Sequence, residues 1–547
     1  MRMLKIDNKF LLKTQNTILS AAFVLFLSGA INSFLGFIKS RLLTNYFGVS
    51  TDLAIFYTAD RIPNLIYSVL VVGALSTIFI PIFTSELKKS REKAFETASV
   101  IMNVTLGFFV LLALVIYIFS PQIIRLLLIG QFGETEIQLG VNLMRIMLLA
   151  QMILVAGSLL TSVLQSFKYF LLPALAPVLY NIGMIFGIFL LSERYGIYAP
   201  AYGVLIGSVL HFTIQVPAVI KTGFRFKLAL NFNDKGLRDM MALVPPRIVS
   251  VFIANLIGTI NNSLAILISA PSVIYLKFAL QLQGFPVLLF GASIASASLP
   301  TLSSESDTDN IDKFKNTLVT SLHQMMYLVV PTSVMLLVLR IPIVRIVYGV
   351  SNFPWEATIA TAQVLALFSL SIFSQSANYL LTRAFYALKD TLTPVKVSLV
   401  TIVINVLISL VMIVQLKLPV WSVAFAFSLT SILDCLILLI LLSKKLGGID
   451  SQKLLMPFVK ISVSAILMGI TLYIPIKLLD QVVFDTTRTI NLVLLTGVAT
   501  VSGMATYLFF TWIFRVEEVQ LFYKLIKKLN ITKAPKPGLL IDEKLEQ

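Results

Sequence analysis

Apolar residues in this chain fall in long runs rather than at amphipathic spacing, and runs of about 20 are what a helix needs to cross a bilayer. Fourteen such runs can be read, near 17–45, 52–84, 95–120, 136–166, 171–192, 197–220, 238–268, 273–302, 314–340, 357–386, 393–415, 419–443, 456–480 and 488–515. The pattern predicts an all-α polytopic membrane protein with about 14 transmembrane helices. No long polar stretch interrupts it, so no inserted soluble domain is expected.

Composition agrees. The chain has 547 residues, 57% hydrophobic and only 13% charged, about half the charged share of a soluble domain. That excludes a soluble multidomain enzyme. One cysteine, Cys435, and two histidines, His211 and His323, leave little for disulfide, metal or acid–base chemistry. The histidines read as interhelical hydrogen-bond partners. No phosphate-cradling glycine loop or paired catalytic carboxylates can be found, and Asp307-Thr308-Asp309 reads as a solvated loop. No catalysis and no cofactor are expected.

The net charge of +17 is distributed by topology. With the N-terminus cytoplasmic, about 29 Lys and Arg fall on the cytoplasmic side and about 7 on the other. Both termini are therefore expected in the cytoplasm, and the charge is not a nucleic-acid footprint. The first run is too long for a cleavable signal peptide. Past span 14, Val516, Val519, Phe522, Ile526 and Leu529 share a stripe beside Lys524, Lys527 and Lys528, as in a basic helix lying on a membrane surface.

The halves repeat. PIFTSE at 81–86 matches PTLSSE at 300–305, and Lys168 and Pro173 match Lys389 and Pro394, both about 220 positions later. An even number of spans separates the pairs, which predicts parallel repeats with a substrate site between two lobes. The expected organisation is a segment 1–16, an N-lobe 17–220 (spans 1–6), a linker 221–237, a C-lobe 238–443 (spans 7–12), a helix pair 456–515 and a basic tail 516–547.

Charge inside a span is costly and calls for a reason. Lys39 and Arg41 lie about 200° apart on a helix. Lys39 shares the small polar stripe Asn32–Gly36–Lys39, whereas Arg41 shares a face with Phe34 and Phe37. Lys39 is thus the expected functional cation, and Arg41 is expected to pack or face lipid. Span 2 carries Asp52, and Asp60, Arg61 and Asn64; span 7 opens with Arg247; span 8 has Lys277 and Gln281 on one stripe. These groups, net cationic, form the candidate substrate site and ask for an anion such as a phosphate.

The residues also resemble a known family. RAFYALKDTLTPVK at 383–396 is similar to the loop between spans 10 and 11 of the MurJ (MviN) lipid II flippases. SFLGFIKSRLLTNYFG at 33–48, TDLAIFYTADRIPNL at 51–65, GALSTIFIPIF at 73–83 and FPVLLFGASIASASLPTLS at 285–303 resemble its spans 1, 2 and 8. The resemblance implies the multidrug/oligosaccharidyl-lipid/polysaccharide exporter (MATE-like) fold in a bacterial inner membrane. It implies lipid II as substrate, flipped between leaflets by a monomer among membrane lipids, with the lipid tail in a groove at spans 13–14. Flippases for other undecaprenyl-linked glycans and drug antiporters share that superfamily. The family's cavity arginines fall at Ser33, Lys39, Tyr67 and Gln281, and its acidic residues at Val72 and Gly284; here Lys277, one turn from Gln281, stands as a displaced cation. The family's sodium-site positions fall at Asn261, Asn405 and Ser409. None is a carboxylate, so no metal site is expected.

Overall fold

The computed structural model describes residues 18–71, 78–129, 132–307, 311–479 and 488–519. Among them every regular element is helical: α1 (Ile18–Phe47), α2 (Thr51–Ala59), α3 (Arg61–Leu70), α4 (Ile80–Lys89), α5 (Arg91–Leu127), α6 (Glu134–Ser166), α7 (Leu171–Tyr195), α8 (Tyr198–Thr213), α9 (Val216–Lys221), α10 (Lys235–Ile268) and α11 (Ala270–Pro286). A π-helical turn at Val287–Ala292 precedes α12 (Ser293–Asp307), then α13 (Ile311–Val338), α14 (Arg340–Tyr348), α15 (Trp355–Ser369), α16 (Ile372–Ala387), α17 (Leu392–Leu410), α18 (Trp421–Lys445), α19 (Ser451–Leu479) and α20 (Thr489–Ile513).

Eleven helices among the described residues are long and apolar enough to cross a membrane, and twelve when the pair α15–α16 is one span. These correspond in order to spans 3–14. The first two expected spans fall on α1 and on the α2–α4 run and are not among the twelve, so the count of fourteen is not reached. Span 2 is broken at Asp60, where α2 ends and α3 begins. A charged residue followed by Arg61 and then Pro63 interrupts the ladder there, and proline removes one donor. The N-terminal segment 1–16, Val72, and the tail beyond residue 519 lie outside the described residues.

The chain divides into two compact units. The first comprises residues 1–285, 344–368 and 392–430, and the second 286–343, 369–391 and 431–547. In the first, α7 and α8 meet through glycines. A Cβ on Gly187 would come within 2.4 Å of the Gly203 Cα, and one on Gly183 within 2.6 Å of the Gly207 Cα. In lipid, where burial of apolar surface does not drive helices together, such close backbone approach is what holds them. In the second, α13, α19 and α20 enclose Met468, Leu472, Ala465 and Tyr507, and the Tyr507 hydroxyl donates to the Tyr327 carbonyl at 2.8 Å. His323 on α13 reaches the Leu454 carbonyl at 3.4 Å and stands 4.0 Å from Glu518.

The repeat shows in the backbone. Lys168 and Lys389 are both left-handed, with φ of 63° and 60°. Each closes a helix in the same way: Lys168 N–H donates to Gln165 O and Tyr169 N–H to Leu164 O, while Lys389 N–H donates to Tyr386 O and Asp390 N–H to Phe385 O. This is the Schellman cap, with lysine at the position that glycine usually takes. The next helix starts three residues after each lysine and places Pro173 or Pro394 at its third position.

Candidate functional site

The site lies in the first unit and is built from six helices, α1, α2, α3, α7, α10 and α11. On α1, Asn32, Gly36, Lys39 and Ser40 succeed one another at helical spacing, so one face carries all four. Asn181 of α7 meets it: its Nδ2 donates to Asn32 Oδ1 at 2.7 Å, and its Oδ1 accepts from Lys39 Nζ at 3.3 Å. Ser40 Oγ donates to Gln281 Oε1 on α11 at 2.8 Å. Gly36 leaves room for that amide, since a Cβ there would lie 3.5 Å from Gln281 Nε2.

One helix over, Arg61 Nη2 donates to Asn262 Oδ1 of α10 at 3.1 Å, and Asn262 Nδ2 donates to Thr58 Oγ1 at 3.2 Å. Lys277 Nζ sits 5.7 Å from the centroid of the Tyr57 ring, a cation–π placement. Asp60 accepts from Asn64 at 3.5 Å, and Asn64 in turn accepts from Ser68. Asp60 is near enough to act electrostatically on Lys39, Arg61 and Lys277, and Lys39 and Arg61 act on Lys277. Among the described residues, no carboxylate is within ion-pair distance of any of the three cations. Each is held by neutral groups and keeps donors to spare.

The structure therefore brings together Asn32, Gly36, Lys39, Asp60, Arg61, Asn64, Lys277 and Gln281. It does not bring Asp52, which is exposed in the first turn of α2 behind the Ser50 cap. There a carboxylate favours the helix terminus. The side chain of Arg247 lies outside the described residues. Of its two expected placements, packing or facing lipid, Arg41 takes the first. Its Nη1 donates to the carbonyls of Ile346 and Val347, at 2.6 and 3.3 Å, and so secures the last turn of α14. The apolar neighbours Phe34 and Phe37 hid that partner, which is some 300 positions away.

Sequence reasoning missed Asn181, Asn262 and Tyr57. Asn181 was the findable one, being a lone amide inside an apolar run. Tyr67, where the resembled family has arginine, pairs its hydroxyl with Ser158 at 3.0 Å. The three positions matching the family's sodium site are buried, and Asn261 Oδ1, Asn405 Oδ1 and Ser409 Oγ have no hydrogen-bond partner. They lie on α10 and α17, which pack together. Oxygen donors of this kind suit a hard cation, although no group of three His, Cys, Asp or Glu side chains that could hold a metal occurs among the described residues.

With this geometry in hand, comparison with known proteins decides the family. The family described as "Lipid II flippase MurJ" matches residues 43–492. The chain belongs to it. Among curated relatives, the probable lipid II flippase MurJ of Borreliella burgdorferi is 27% identical over 405 residues, covering 74% of this chain and 78% of its own length. That of Buchnera aphidicola is 26% identical over 499 residues, covering 90% and 97%. A solved lipid II flippase MurJ in an inward closed conformation superposes with a TM-score of 0.75 at 24% identity, covering 90% of this chain and 98% of that one. An inward-facing multidrug-resistance MATE transporter of the MOP superfamily follows at 0.62 and 13% identity, covering 76% and 94%. The MurJ match covers 90% of this chain and the MATE match 76%, so the two share the fold.

Proposed function

We propose that this chain is a lipid II flippase of the bacterial inner membrane, moving the undecaprenyl-pyrophosphate-linked precursor to the outer leaflet by alternating access, without catalysing a covalent step. The observation that carries the reading is the trio Lys39, Arg61 and Lys277, held by amides and a ring rather than by carboxylates. A pyrophosphate presents several acceptor oxygens, and a charge-assisted hydrogen bond to each cation contributes about 1.5–3 kcal/mol. A cationic drug would meet net repulsion at the same place, which disfavours an antiporter. Asn32, Asn181, Asn64 and Gln281 orient the cations and offer neutral contacts to a headgroup. Asp60 keeps the group from being too cationic to release its load.

The chain acts as a monomer in this reading, with both termini, the 221–237 linker and the connection before α17 facing the cytoplasm, on the strength of the Lys/Arg distribution. Against the expectation of no metal site, the unpartnered oxygens of Asn261, Asn405 and Ser409 would coordinate a sodium ion as neutral donors, without neutralising its charge. The test is transport. Purified protein in vesicles containing fluorescent lipid II should expose the label to an outside quencher, and Lys277→Gln should abolish this. Gln281→Arg on that background should restore part of it, because positions four apart cover adjoining patches of one helix face. Movement of a different undecaprenyl-linked glycan, with lipid II left in place, would refute the assignment.

A further inference from the structure

The linker between α9 and α10 lies along α5 over most of its length. From Lys221 the chain climbs along α5. The Arg91 guanidinium donates to the Thr222 carbonyl, and the Phe224 ring packs edge-on against Phe95 at 5.3 Å. Lys227 N–H then donates to Ser99 Oγ at 3.2 Å, and Asn103 Nδ2 donates to both Lys227 O and Ala229 O, at 2.8 and 3.0 Å. The chain comes back to Asp234, which accepts from Thr97 Oγ1 at 2.9 Å and caps α10 through Leu237 N–H. From Arg91 to Asn103 is about 18 Å along a helix axis. The tip thus lies beside the apolar part of a spanning helix, next to Gly107 and Val110.

Two features of this loop do not suit water. Its apolar residues alternate, and Phe226, Leu228, Leu230 and Phe232 are all exposed, Leu228 by 92% and Leu230 by 70%. Phe226, Leu228 and Leu230 share a cleft with Leu106, Gly107 and Val110 of α5, and on the same helix Phe108, Val110, Leu111 and Leu114 are exposed as well. Second, polar side chains of a membrane helix, Ser99 and Asn103, are spent on the loop's backbone. Irregular backbone does not stand exposed to lipid in the hydrocarbon region, so the backbone of the loop belongs at the interfacial level, where Ser99 and Asn103 satisfy part of it and water the rest.

We infer that residues 224–232 form an interfacial strap whose Leu228 and Leu230 side chains insert among the phospholipid acyl chains just below the headgroups. Arg225 and Lys227, alternating with the apolar positions, have stems long enough to bring their charges to the phosphate level. Phe226 divides two clefts of about 400 and 470 Å³, lined by Leu106 and the strap, which lipid chains fill. The strap therefore fastens the start of α10 to lipid as well as to α5.

The test uses the full-length protein in vesicles of phosphatidylethanolamine and phosphatidylglycerol. With Cys435→Ala as background, nitroxides are attached at Leu228→Cys, Leu230→Cys and Asn233→Cys, each variant being checked for retained transport. Collision with oxygen should exceed collision with a water-soluble nickel chelate at 228 and 230, and the order should reverse at 233. Either of the two leucine positions suffices if the other variant fails to assemble. A chelate-accessible signal at 228 or 230 would overturn the proposal. So would protection from both reagents, which would signify a protein covering the loop.

Discussion

Arg41→Ala separates holding the fold from moving the substrate. Arg41 Nη1 donates to the carbonyls of Ile346 and Val347, and both belong to the last turn of α14, whose carbonyls have no partner within the helix. Losing a charge-assisted hydrogen bond costs about 1.5–3 kcal/mol. Removing a cation from a helix C-terminus adds about 0.3–1 kcal/mol. The sum, about 2–4 kcal/mol, corresponds to a drop in the folded-to-unfolded ratio of roughly thirty- to several-hundred-fold. Lys39→Ala should behave oppositely. Lys39 gives one 3.3 Å hydrogen bond to Asn181 and is half-buried with no carboxylate in ion-pair range, so its removal relieves desolvation and should leave stability nearly unchanged while transport is lost. Thermal inactivation in detergent, read alongside flipping in vesicles, tests the pair. If Arg41→Ala melts with wild type and Lys39→Ala is the unstable one, the assignment of one cation to architecture and the other to substrate is wrong.

The glycine contact of α7 and α8 predicts that Gly187→Leu prevents their packing and lowers the yield of folded protein, measured by monodispersity in detergent, while Gly29→Leu, with open space around it, is tolerated. At the repeated caps, Lys168→Val should destabilise by about 1–2 kcal/mol, since a β-branched residue resists left-handed backbone, whereas Lys168→Gly should stay within about 1 kcal/mol of wild type. The Lys89 hydrogen bond holds the Glu86 carboxyl below its usual range, so this pair contributes stability above the unfolded carboxylate value, about 4.3, and loses it as pH falls through the depressed one; Glu86→Gln should flatten that part of the acid melting curve. Sodium should raise the melting midpoint of wild type relative to choline, and Asn405→Leu should remove the difference.

The sequence by itself determined the class of molecule, the order of spans 3–14, the repeat and most of the polar face of α1. These follow from local rules: apolar run length against bilayer thickness, the cost of intramembrane charge, and the 3.6-residue period that sets Lys39 opposite Arg41. It also exposed the lysines of FKYFLLP and LKDTLTP as equivalent, though not why, because a left-handed cap is a backbone property that no composition rule assigns to lysine. What only the tertiary structure decided are pairings across the chain. Asn181 was visible as a polar residue in an apolar helix, but its place between Asn32 and Lys39 depends on how α7 packs on α1. Arg41 could be read as packing or as lipid-facing because the carbonyls it reaches are far off in sequence. Asp52 looked like part of the site because charge in a span is costly, yet an exposed helix terminus removes that cost locally. The 224–232 segment lies inside the expected cytoplasmic linker 221–237, its alternation of apolar residues with Arg225 and Lys227 too short to read as a span. Its hydrogen bonds to Ser99 and Asn103 place it against a spanning helix, a pairing across more than 120 positions that no local pattern announces.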